Sequence, residues 1–228
     1  MGFEAILSQA SLFSHLPNEA LNQLSGQLQH RRYEREQIIF HKNDPGSTLY
    51  IIIAGKVKII LPSPEGESVI VALLSTGEFF GELSLFDGAP RSATAVASEP
   101  TEILTLDKGD FNRYLLENPR AAVVILSELS LRLRRTDELL SDAAFCNLTT
   151  RLAKRLLELS KRYGQPGPDG KAIRINLRLK QQDLADMAGA TRESVNKVLK
   201  SFKENNLLRW SKGYITLLDP DTLRRRSR

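Results

Sequence analysis

Residues 80–93 read Phe80-Gly81-Glu82-Leu83-Ser84-Leu85-Phe86-Asp87-Gly88-Ala89-Pro90-Arg91-Ser92-Ala93. A glycine lets a ligand approach the backbone closely, and a short helix starting near Glu82 would direct free N–H groups at an anion. Arg91 offers a planar fork that matches phosphate oxygens, and Ser92 adds a hydroxyl donor. Glu82 would repel a phosphate, so it fits only as the acceptor of a neighbouring sugar hydroxyl. The stretch predicts a ribose-phosphate pocket; the alternative is an exposed loop with a Glu82–Arg91 surface ion pair.

Short segments rich in β-branched residues lie on both sides of this stretch, separated by turn residues such as Asn43-Asp44-Pro45-Gly46. A short helical start, from Phe3 to Leu28, precedes them. Several short strands at such spacing are typical of an antiparallel barrel or roll. The predicted strands are Ile38–Phe40, Leu49–Ile53, Val57–Leu61, Val69–Leu74, Ala93–Ala97 and Ile103–Leu106.

A long helix is predicted after residue 117, with Asn118 as its N-cap and Pro119 in its first position. Its length of about 26 residues, or about 39 Å, exceeds a small barrel and favours pairing with a second copy. The alternative is packing against the helix's own domain. The residues that recur at spacings of 3 and 4, as in a two-helix seam, are Leu126, Leu129, Leu133, Thr136, Leu140 and Ala143.

The remaining chain has the element order of a winged helix-turn-helix. Asn147 is expected to cap a helix over Leu148–Tyr163 after a break at Phe145-Cys146, and a loop is expected over Gly164–Gly170. The elements that follow are a strand at Ile173–Leu177, helices starting at Gln181 and Thr191, and strands at Leu207–Trp210 and Tyr214–Leu217.

The charge of the 228-residue chain is divided unevenly. Residues 1–146 carry 13 Lys and Arg against 19 Asp and Glu, a net charge of −6. Residues 147–228 carry 19 against 8, a net charge of +11. A basic module beside an acidic one suits nucleic-acid binding by the basic part, because phosphate neutralisation supplies much of the affinity. The terminal arginines, from Arg224 to Arg228, are expected to form a solvated tail.

The predicted helix pair supplies the chemistry for reading DNA. Leu184, Ala185 and Ala188 give small apolar contacts on the first helix, and Gly189 suits the tight turn. On the second helix, Val195, Val198, Leu199 and Phe202 face the core at helical spacing. This leaves an outer face that would enter the major groove with its N-terminal residues first. The residues of that face are Arg192, Glu193, Asn196, Lys197 and Lys200.

Residues 80–93 resemble the phosphate-binding cassette of cyclic-nucleotide-binding domains, and Pro45–Val57 resembles the glycine-flanked strand pair of that domain. With the winged helix behind them, the chain resembles the cyclic-AMP receptor protein/fumarate–nitrate reduction regulator (CRP/FNR) family from end to end. The resemblance implies an α+β fold in three parts. These are a cyclic-nucleotide-binding β-roll over 1–117, a dimerisation helix and hinge over 118–146, and a winged helix-turn-helix over 147–228.

The resemblance also implies roles in ligand binding. The glutamate of the cassette, Glu82, accepts from the ribose 2′-hydroxyl, while Arg91 and Ser92 hold the cyclic phosphate. Thr136 and Asp137, one from each protomer, read the base. Asp137 stands where the best-known member has serine; its carboxylate suits the adenine amino group or the N1 and N2 hydrogens of guanine. Cyclic AMP is the expected effector and cyclic GMP the alternative. The expected ligand set is Gly81, Glu82, Leu83, Arg91, Ser92, Thr136 and Asp137.

For DNA, the resemblance assigns Arg192 to guanine and Glu193 to cytosine in a palindromic TGTGA-like operator. Lys197 stands where the best-known member has arginine, so discrimination at that guanine is expected to be softer. The loop Gly164–Lys171 matches in position a surface that contacts RNA polymerase in relatives. The expected DNA-binding residues are Lys180, Gln181, Thr191, Arg192, Glu193, Lys197, Lys200 and Lys212.

Other classes of protein fit the sequence less well. No apolar run approaches the ~18 residues of a membrane helix, and no basic segment precedes the apolar start, so a cytoplasmic protein with no membrane partner is expected. One cysteine, Cys146, excludes an iron–sulfur cluster, and His15, His30 and His41 are expected to be ordinary residues rather than haem or metal ligands. No histidine follows His41, which argues against an enzyme. Relatives that bind cyclic di-GMP tend to lose the cassette arginine, whereas this chain retains Arg91. A protein that binds DNA constitutively, without an effector, stays an alternative.

Overall fold

The computed structural model describes residues 12–13, 26–167 and 170–227. The chain divides into two compact units, residues 1–66 with 70–135 and residues 67–69 with 136–228. Most of the helix predicted before Leu28 lies outside the described residues. Leu28 itself packs against the core of the first unit.

The first unit is the predicted antiparallel roll. One sheet has the strand order β1-β8-β3-β6, and the other has the order β2-β7-β4-β5. Within β3, side chains alternate: Tyr50 and Ile52 face one hydrophobic cluster, while Leu49 and Ile51 face a second. The strands are β1 (Gln29–Tyr33), β2 (Ile38–Phe40), β3 (Thr48–Ala54), β4 (Lys56–Pro62), β5 (Ser68–Ser75), β6 (Phe79–Phe80), β7 (Thr94–Ala97) and β8 (Thr101–Asp107).

The two hydrophobic clusters hold the roll together from opposite sides of the first sheet. One contains Ile52, Phe80 and Ile103 of this sheet with Val57 and Ala95 of the other, so it joins the two sheets. The second packs the outer face of the first sheet against helices. Its helical members are Phe111, Tyr114, Ala121 and Ile125.

Three helices interrupt or follow these strands: α1 (Leu83–Asp87), α2 (Lys108–Glu117) and α3 (Pro119–Phe145). The predicted start of the long helix at Pro119 and its end at Phe145 are confirmed. The predicted capping by Asn118 is not observed: its amide donates to the Tyr114 carbonyl at 3.1 Å, at the end of α2. Leu129 packs on the core of the first unit, so it does not belong to an exposed seam.

The second unit has the predicted helix-turn-helix followed by a wing. Its helices are α4 (Leu148–Tyr163), α5 (Gln181–Ala188), α6 (Arg192–Glu204) and α7 (Pro220–Arg226). Asn147 caps α4 as expected, because its side chain accepts from the Thr150 N–H at 3.0 Å. The sheet has the order β11-β12-β10-β9, with strands β9 (Gly164–Pro166), β10 (Ile173–Ile175), β11 (Leu208–Ser211) and β12 (Tyr214–Leu217).

One expected loop is partly a strand. Residues 164–166, predicted as the start of a loop from their glycine and proline content, form β9 and pair with β10 in antiparallel register. All three residues are exposed, which suits proline at the edge of a sheet. Glycine and proline, which usually indicate a turn, therefore lie in an edge strand at residues 164–166.

Candidate functional site

Arg91 is the centre of the cassette. Its side chain is only 4% exposed, and it donates from Nη1 to the Gly81 carbonyl at 2.7 Å and from Nη2 to the Thr48 carbonyl at 2.8 Å. The guanidinium lies 4.5 Å above the Phe40 ring and 5.4 Å from the Tyr50 ring. Burial lowers the pKa of Arg91, although the side chain stays charged. The fork is thus held by neutral backbone oxygens.

Glycines make room for this buried arginine. Gly81 has a φ of +83°, and a Cβ there would lie 2.7 Å from Arg91 Nη1. A Cβ on Gly46 would lie 2.5 Å from Ser84 Cβ and 2.9 Å from Arg91 Nε. Side chains at either position would displace the guanidinium or the short helix α1.

The backbone of Arg91 is fixed by the turn that precedes β3. Its N–H donates to the Asp44 carbonyl at 2.9 Å, and its carbonyl accepts from the Asn43 N–H at 2.8 Å. Asn43 has a φ of +72°, a conformation that asparagine tolerates better than most residues. The turn over residues 43–46 therefore holds the Arg91 backbone where its side chain reaches the Gly81 carbonyl. Nine residues lie between Gly81 and Arg91 in the sequence.

Glu82 is held from the long helix. The residue as a whole is 3% exposed, and its Oε1 accepts from Arg132 Nη1 of α3 at 2.9 Å. Arg132 also donates to the Phe79 carbonyl and lies 5.0 Å above the Phe79 ring. The exposed-loop alternative for the cassette is wrong, because Glu82 and Arg91 are both buried. Sequence reasoning missed Arg132, because its partner lies 50 residues earlier.

Two buried polar atoms of the cassette lack hydrogen-bond partners among the described residues: Glu82 Oε2 and Arg91 Nε. Buried polar atoms are nearly always paired in folded proteins, so such orphans need an explanation. A carboxylate oxygen suits a ribose hydroxyl and a guanidinium suits a phosphate. The residues present therefore fit a cyclic nucleotide.

The other predicted ligand residues lie in accessible positions. Leu83 opens α1 and is 43% exposed, while Ser92 is exposed beside the buried Arg91. Thr136 and Asp137 lie on the part of α3 that belongs to the second unit, and both are exposed. The described chain brings Gly81, Glu82 and Arg91 together in one unit.

A cavity of about 390 Å³ opens in the first unit next to the acceptors of Arg91. Thr48 and Tyr50 belong to its lining, whereas Gly81, Glu82, Arg91 and Ser92 do not. The rest of the lining is mainly polar and comes from β1 and the residues before it, from Ile39 of β2, from β8 and from the start of α2. The cassette and this cavity therefore adjoin at β3 without coinciding.

In the second unit, Gln181 of α5 holds the first turns of α6. Its side-chain oxygen accepts from Arg192 Nε and from Asn196 Nδ2, both at 3.1 Å. Gln181 was expected to contact phosphate; in the structure its side chain accepts from Arg192 and so orients it. Thr191 caps α6 by accepting from the Ser194 N–H at 3.3 Å. Gly189 has a φ of +58°, as the tight turn requires.

The outer face of α6 carries the predicted DNA-binding side chains. Arg192, Glu193, Lys197 and Lys200 are exposed, whereas Val195, Leu199 and Phe202 are buried, as their spacing predicted. The remaining predicted DNA-binding residues lie around this helix: Lys180 precedes α5, and Lys212 occupies the β11–β12 turn. Lys212 and Gly213 both have positive φ, which gives the tight two-residue turn of a wing.

An ion-pair cluster joins the end of α3 to α4 inside the second unit. Asp142 is 6% exposed and accepts from Lys154 Nζ at 2.5 Å and from Arg155 Nη2 at 2.9 Å. The hydrogen bond that Lys154 donates to Asp142 raises the pKa of Lys154. The cluster therefore ties α3 to α4 across the break at Cys146.

The chain matches two family models in this order. Residues 30–118 match the cyclic nucleotide-binding domain, and residues 150–226 match the Crp-like helix-turn-helix domain. The CRP-like cAMP-activated global transcriptional regulator of Mycobacterium tuberculosis is 34% identical over 99% of this chain and 100% of its own length. The chain belongs to the CRP/FNR family. It is therefore a transcription regulator with a cyclic-nucleotide-binding domain and a DNA-binding helix-turn-helix, not an enzyme.

The names of relatives within the family do not all state cyclic AMP as the effector. The global nitrogen regulator of Synechococcus elongatus is 34% identical, with 86% of this chain and 88% of that protein covered. The c-di-GMP responsive global regulator CLP of Xanthomonas campestris is 26% identical, with a TM-score of 0.76 and coverage of 88% of this chain and 99% of CLP. Family membership therefore fixes the fold and the kind of regulation more firmly than it fixes the effector.

The described residues contain neither a membrane-spanning helix nor a cluster of metal-ligating side chains. None of the helices there is long and apolar enough to cross a membrane. No group of three or more His, Cys, Asp and Glu side chains in that part of the chain could hold a metal ion. His30 contacts Glu102 at 3.0 Å in the roll.

Proposed function

We propose that this regulator is a homodimer that cyclic AMP switches to a form that binds a palindromic, TGTGA-like operator. The observation that carries the proposal is the buried Glu82 Oε2, which has no partner in the described chain. A ribose 2′-hydroxyl can donate the hydrogen bond that this carboxylate oxygen lacks. The 34% identity to a cAMP-activated regulator over nearly the whole chain supports the same effector.

Arg91 supplies the response to phosphate. Its fork is engaged by two carbonyl oxygens and two aromatic rings. A cyclic phosphate offers charged acceptors in the same fork geometry, which bind a guanidinium about twice as strongly as neutral ones. The ligand would therefore bind more tightly to the conformation in which Arg91 and Ser92 face the phosphate. This difference in affinity between two conformations would shift the hinge towards the DNA-binding arrangement.

The base would be read by Thr136 and Asp137, in the positions that family resemblance assigns to the two protomers. Asp137 is exposed, so its carboxylate is accessible to a base. Cyclic GMP is the second candidate, because a carboxylate can accept from both N1 and N2 of guanine.

The dimer is proposed from the apolar stripe of α3. Val123, Leu126 and Leu133 are each 63% exposed, and Leu140 is 70% exposed. A second copy of α3 would cover this stripe and add hydrophobic stabilisation. The double variant Leu126→Glu/Leu133→Glu should then sediment as a monomer, whereas Leu116→Glu, on the 83% exposed Leu116 of α2, should remain dimeric.

DNA would be contacted by α6 in the major groove, with half-sites about 34 Å apart. Arg192 and Glu193 are proposed to read guanine and cytosine, and Lys180, Gln181, Thr191, Lys200 and Lys212 to contact the backbone or nearby bases. RNA polymerase is proposed as the partner of the loop Gly164–Lys171, and the cytoplasm as the compartment.

The deciding experiment is calorimetric titration of nucleotide-free protein with cyclic AMP, cyclic GMP and cyclic di-GMP. We expect cyclic AMP to bind, and the variants Arg91→Ala and Glu82→Ala to lose that binding. The matched control is Arg113→Ala, which removes an exposed arginine of the same unit. Binding of cyclic GMP alone would make Asp137 the selector. Binding of none, with intact DNA affinity, would overturn the proposal and leave a regulator with another effector or with none.

A further inference from the structure

The C-terminal helix α7 carries three consecutive arginines, Arg224 to Arg226, that have no role in the DNA reading proposed for α6. Asp219 caps α7: it accepts from the Thr222 N–H at 2.9 Å and from the Thr222 hydroxyl at 2.6 Å. These hydrogen bonds lower the pKa of Asp219. Pro220 occupies the first turn, and Leu223 is fully buried. The sequence suggested a solvated tail, but residues 220–226 form an anchored helix.

The end of α7 is attached to the first turn of α4. Thr150 donates from its hydroxyl to the Arg226 carbonyl at 3.3 Å, and α7 packs along α4. The next residue of α4, Arg151, donates to the Ala188 carbonyl at 2.9 Å and reaches the Gly189 carbonyl at 3.4 Å. Two adjacent residues of α4 thus connect the arginines of α7 with the turn between α5 and α6.

This chain of contacts places the C-terminal end of α7 in the same part of the second unit as the turn before α6. Arg192, the first residue of α6, lies three positions after Gly189. Arg224 and Arg225 are exposed. Arg224 pairs with Asp221, whereas Arg225 donates to the neutral hydroxyl of Thr222. The C-terminal end of α7 is therefore linked, through Thr150 and Arg151, to the turn that leads into the reading helix.

We propose that α7 is a second DNA contact, whose arginines bind backbone phosphates next to the half-site read by α6. The proposal rests on the DNA contact of α6 set out under the proposed function. Phosphate contacts carry no sequence information but set affinity and register. Arg225 has a planar fork whose hydrogen-bond partner is the neutral Thr222 hydroxyl, so a phosphate would replace a neutral acceptor, although the Asp219 carboxylate also attracts Arg225.

The test compares the salt dependence of DNA affinity for the full-length protein and Arg224→Gln/Arg225→Gln. Two duplexes of about 40 base pairs are used, one with a central TGTGA palindrome and one with that segment scrambled, between about 50 and 200 mM salt. Loss of two phosphate contacts lowers the slope of log K against log salt by about 1.8 per protomer. The loss is equal on both duplexes, and Arg224→Lys/Arg225→Lys retains the slope because it keeps the charge.

The matched control is Lys161→Gln/Arg162→Gln, which removes two exposed charges at the opposite end of α4. An unchanged slope in the α7 variant, an equal fall in the control, or a loss confined to the palindrome would each overturn the phosphate contact. Thermal unfolding of each variant shows that it is folded. If the wild-type protein itself does not prefer the palindrome, operator reading fails, while the slope on either duplex still tests α7.

Discussion

The Arg132 guanidinium donates from Nη1 to Glu82 Oε1 at 2.9 Å, and so connects the long helix with the cassette inside the first unit. The pair is asymmetric: the Glu82 carboxyl is 4% exposed and the Arg132 side chain 23%. One carboxylate oxygen is engaged by the helix and the other is left for a ligand. A ribose hydroxyl on Glu82 would therefore be in contact, through one side chain, with α3. This is a direct physical route from ligand to helix.

Arg132 should act as a positioning residue for the nucleotide. Arg132→Gln removes the charged donor and leaves the buried Glu82 free to rotate, so cyclic AMP affinity should fall roughly 10- to 100-fold, the worth of a hydrogen bond to a charged group. Arg132→Lys should recover part of the affinity, since it restores the charge without the fork. Calorimetry checks this against Arg135→Gln, an exposed neighbour on the same helix. Equal affinities for Arg132→Gln and wild type would contradict the role.

Gly81 and Gly88 form a matched pair for testing the space around Arg91. Both have positive φ, +83° and +70°, so alanine at either position costs about 1–2 kcal/mol in backbone strain. Only at Gly81 would the new Cβ also meet Arg91 Nη1, at 2.7 Å; at Gly88 nothing lies within 4 Å. Gly81→Ala should therefore abolish nucleotide binding, and Gly88→Ala should retain it. Comparable loss in both variants would mean that strain, not the position of Arg91, controls binding.

The sequence predicted those parts of the structure that depend on local patterns. The helix over Leu148–Tyr163 was predicted with both of its ends, because an N-cap asparagine and a glycine bound a regular apolar period. Strand β1 was missed because Gln29–Tyr33 is polar and exposed; pairing with β8, over 70 residues later, makes it a strand.

The candidate site also contains residues that the sequence predicted and residues that only the structure shows. Glycine, glutamate and arginine at family-like spacing predicted the cassette, and the structure brings Gly81 and Arg91 into contact. Arg132 and the two carbonyls that hold Arg91 carry no sequence signal, because any residue has a carbonyl and the long helix holds several arginines. Only the packing of α3 on the roll selects Arg132. Contacts between distant segments were therefore the part that sequence patterns could not supply.

Asp142 should stabilise the hinge of the second unit. Asp142→Asn leaves Lys154 and Arg155 without their shared carboxylate, so the free energy of unfolding should fall by about 3 kcal/mol, the low end for a buried pair because Lys154 is partly exposed. Glu158→Gln is the control, because Glu158 pairs with the same Arg155 from a 52% exposed position and should contribute at most about 0.5 kcal/mol. Chemical denaturation at neutral pH measures both.

The contribution of Lys154 also predicts a pH dependence. Its pKa is raised above the ordinary 10.5, so its stabilising effect is complete below that pH and is lost as the pH rises through the higher folded-state value. The stability gap between wild type and Asp142→Asn should therefore narrow above about pH 10.5, while the part due to Arg155 persists. A gap that widens at alkaline pH would contradict the pairing.

Lys197 should set how strictly the regulator reads one guanine of its half-site. Lysine offers a point charge where arginine would offer two donors to guanine O6 and N7, and a good bidentate pair is worth about 1–3 kcal/mol of discrimination. Lys197→Arg should therefore sharpen the preference for that guanine about 5- to 100-fold on single-base operator variants. Lys200→Arg is the control one turn along α6, where the 79% exposed Lys200 lies 3.8 Å from Glu204. Both changes keep the charge, so the salt dependence should not move. A wild-type preference already as strong as that of Lys197→Arg would show that the lysine discriminates as well as the arginine fork.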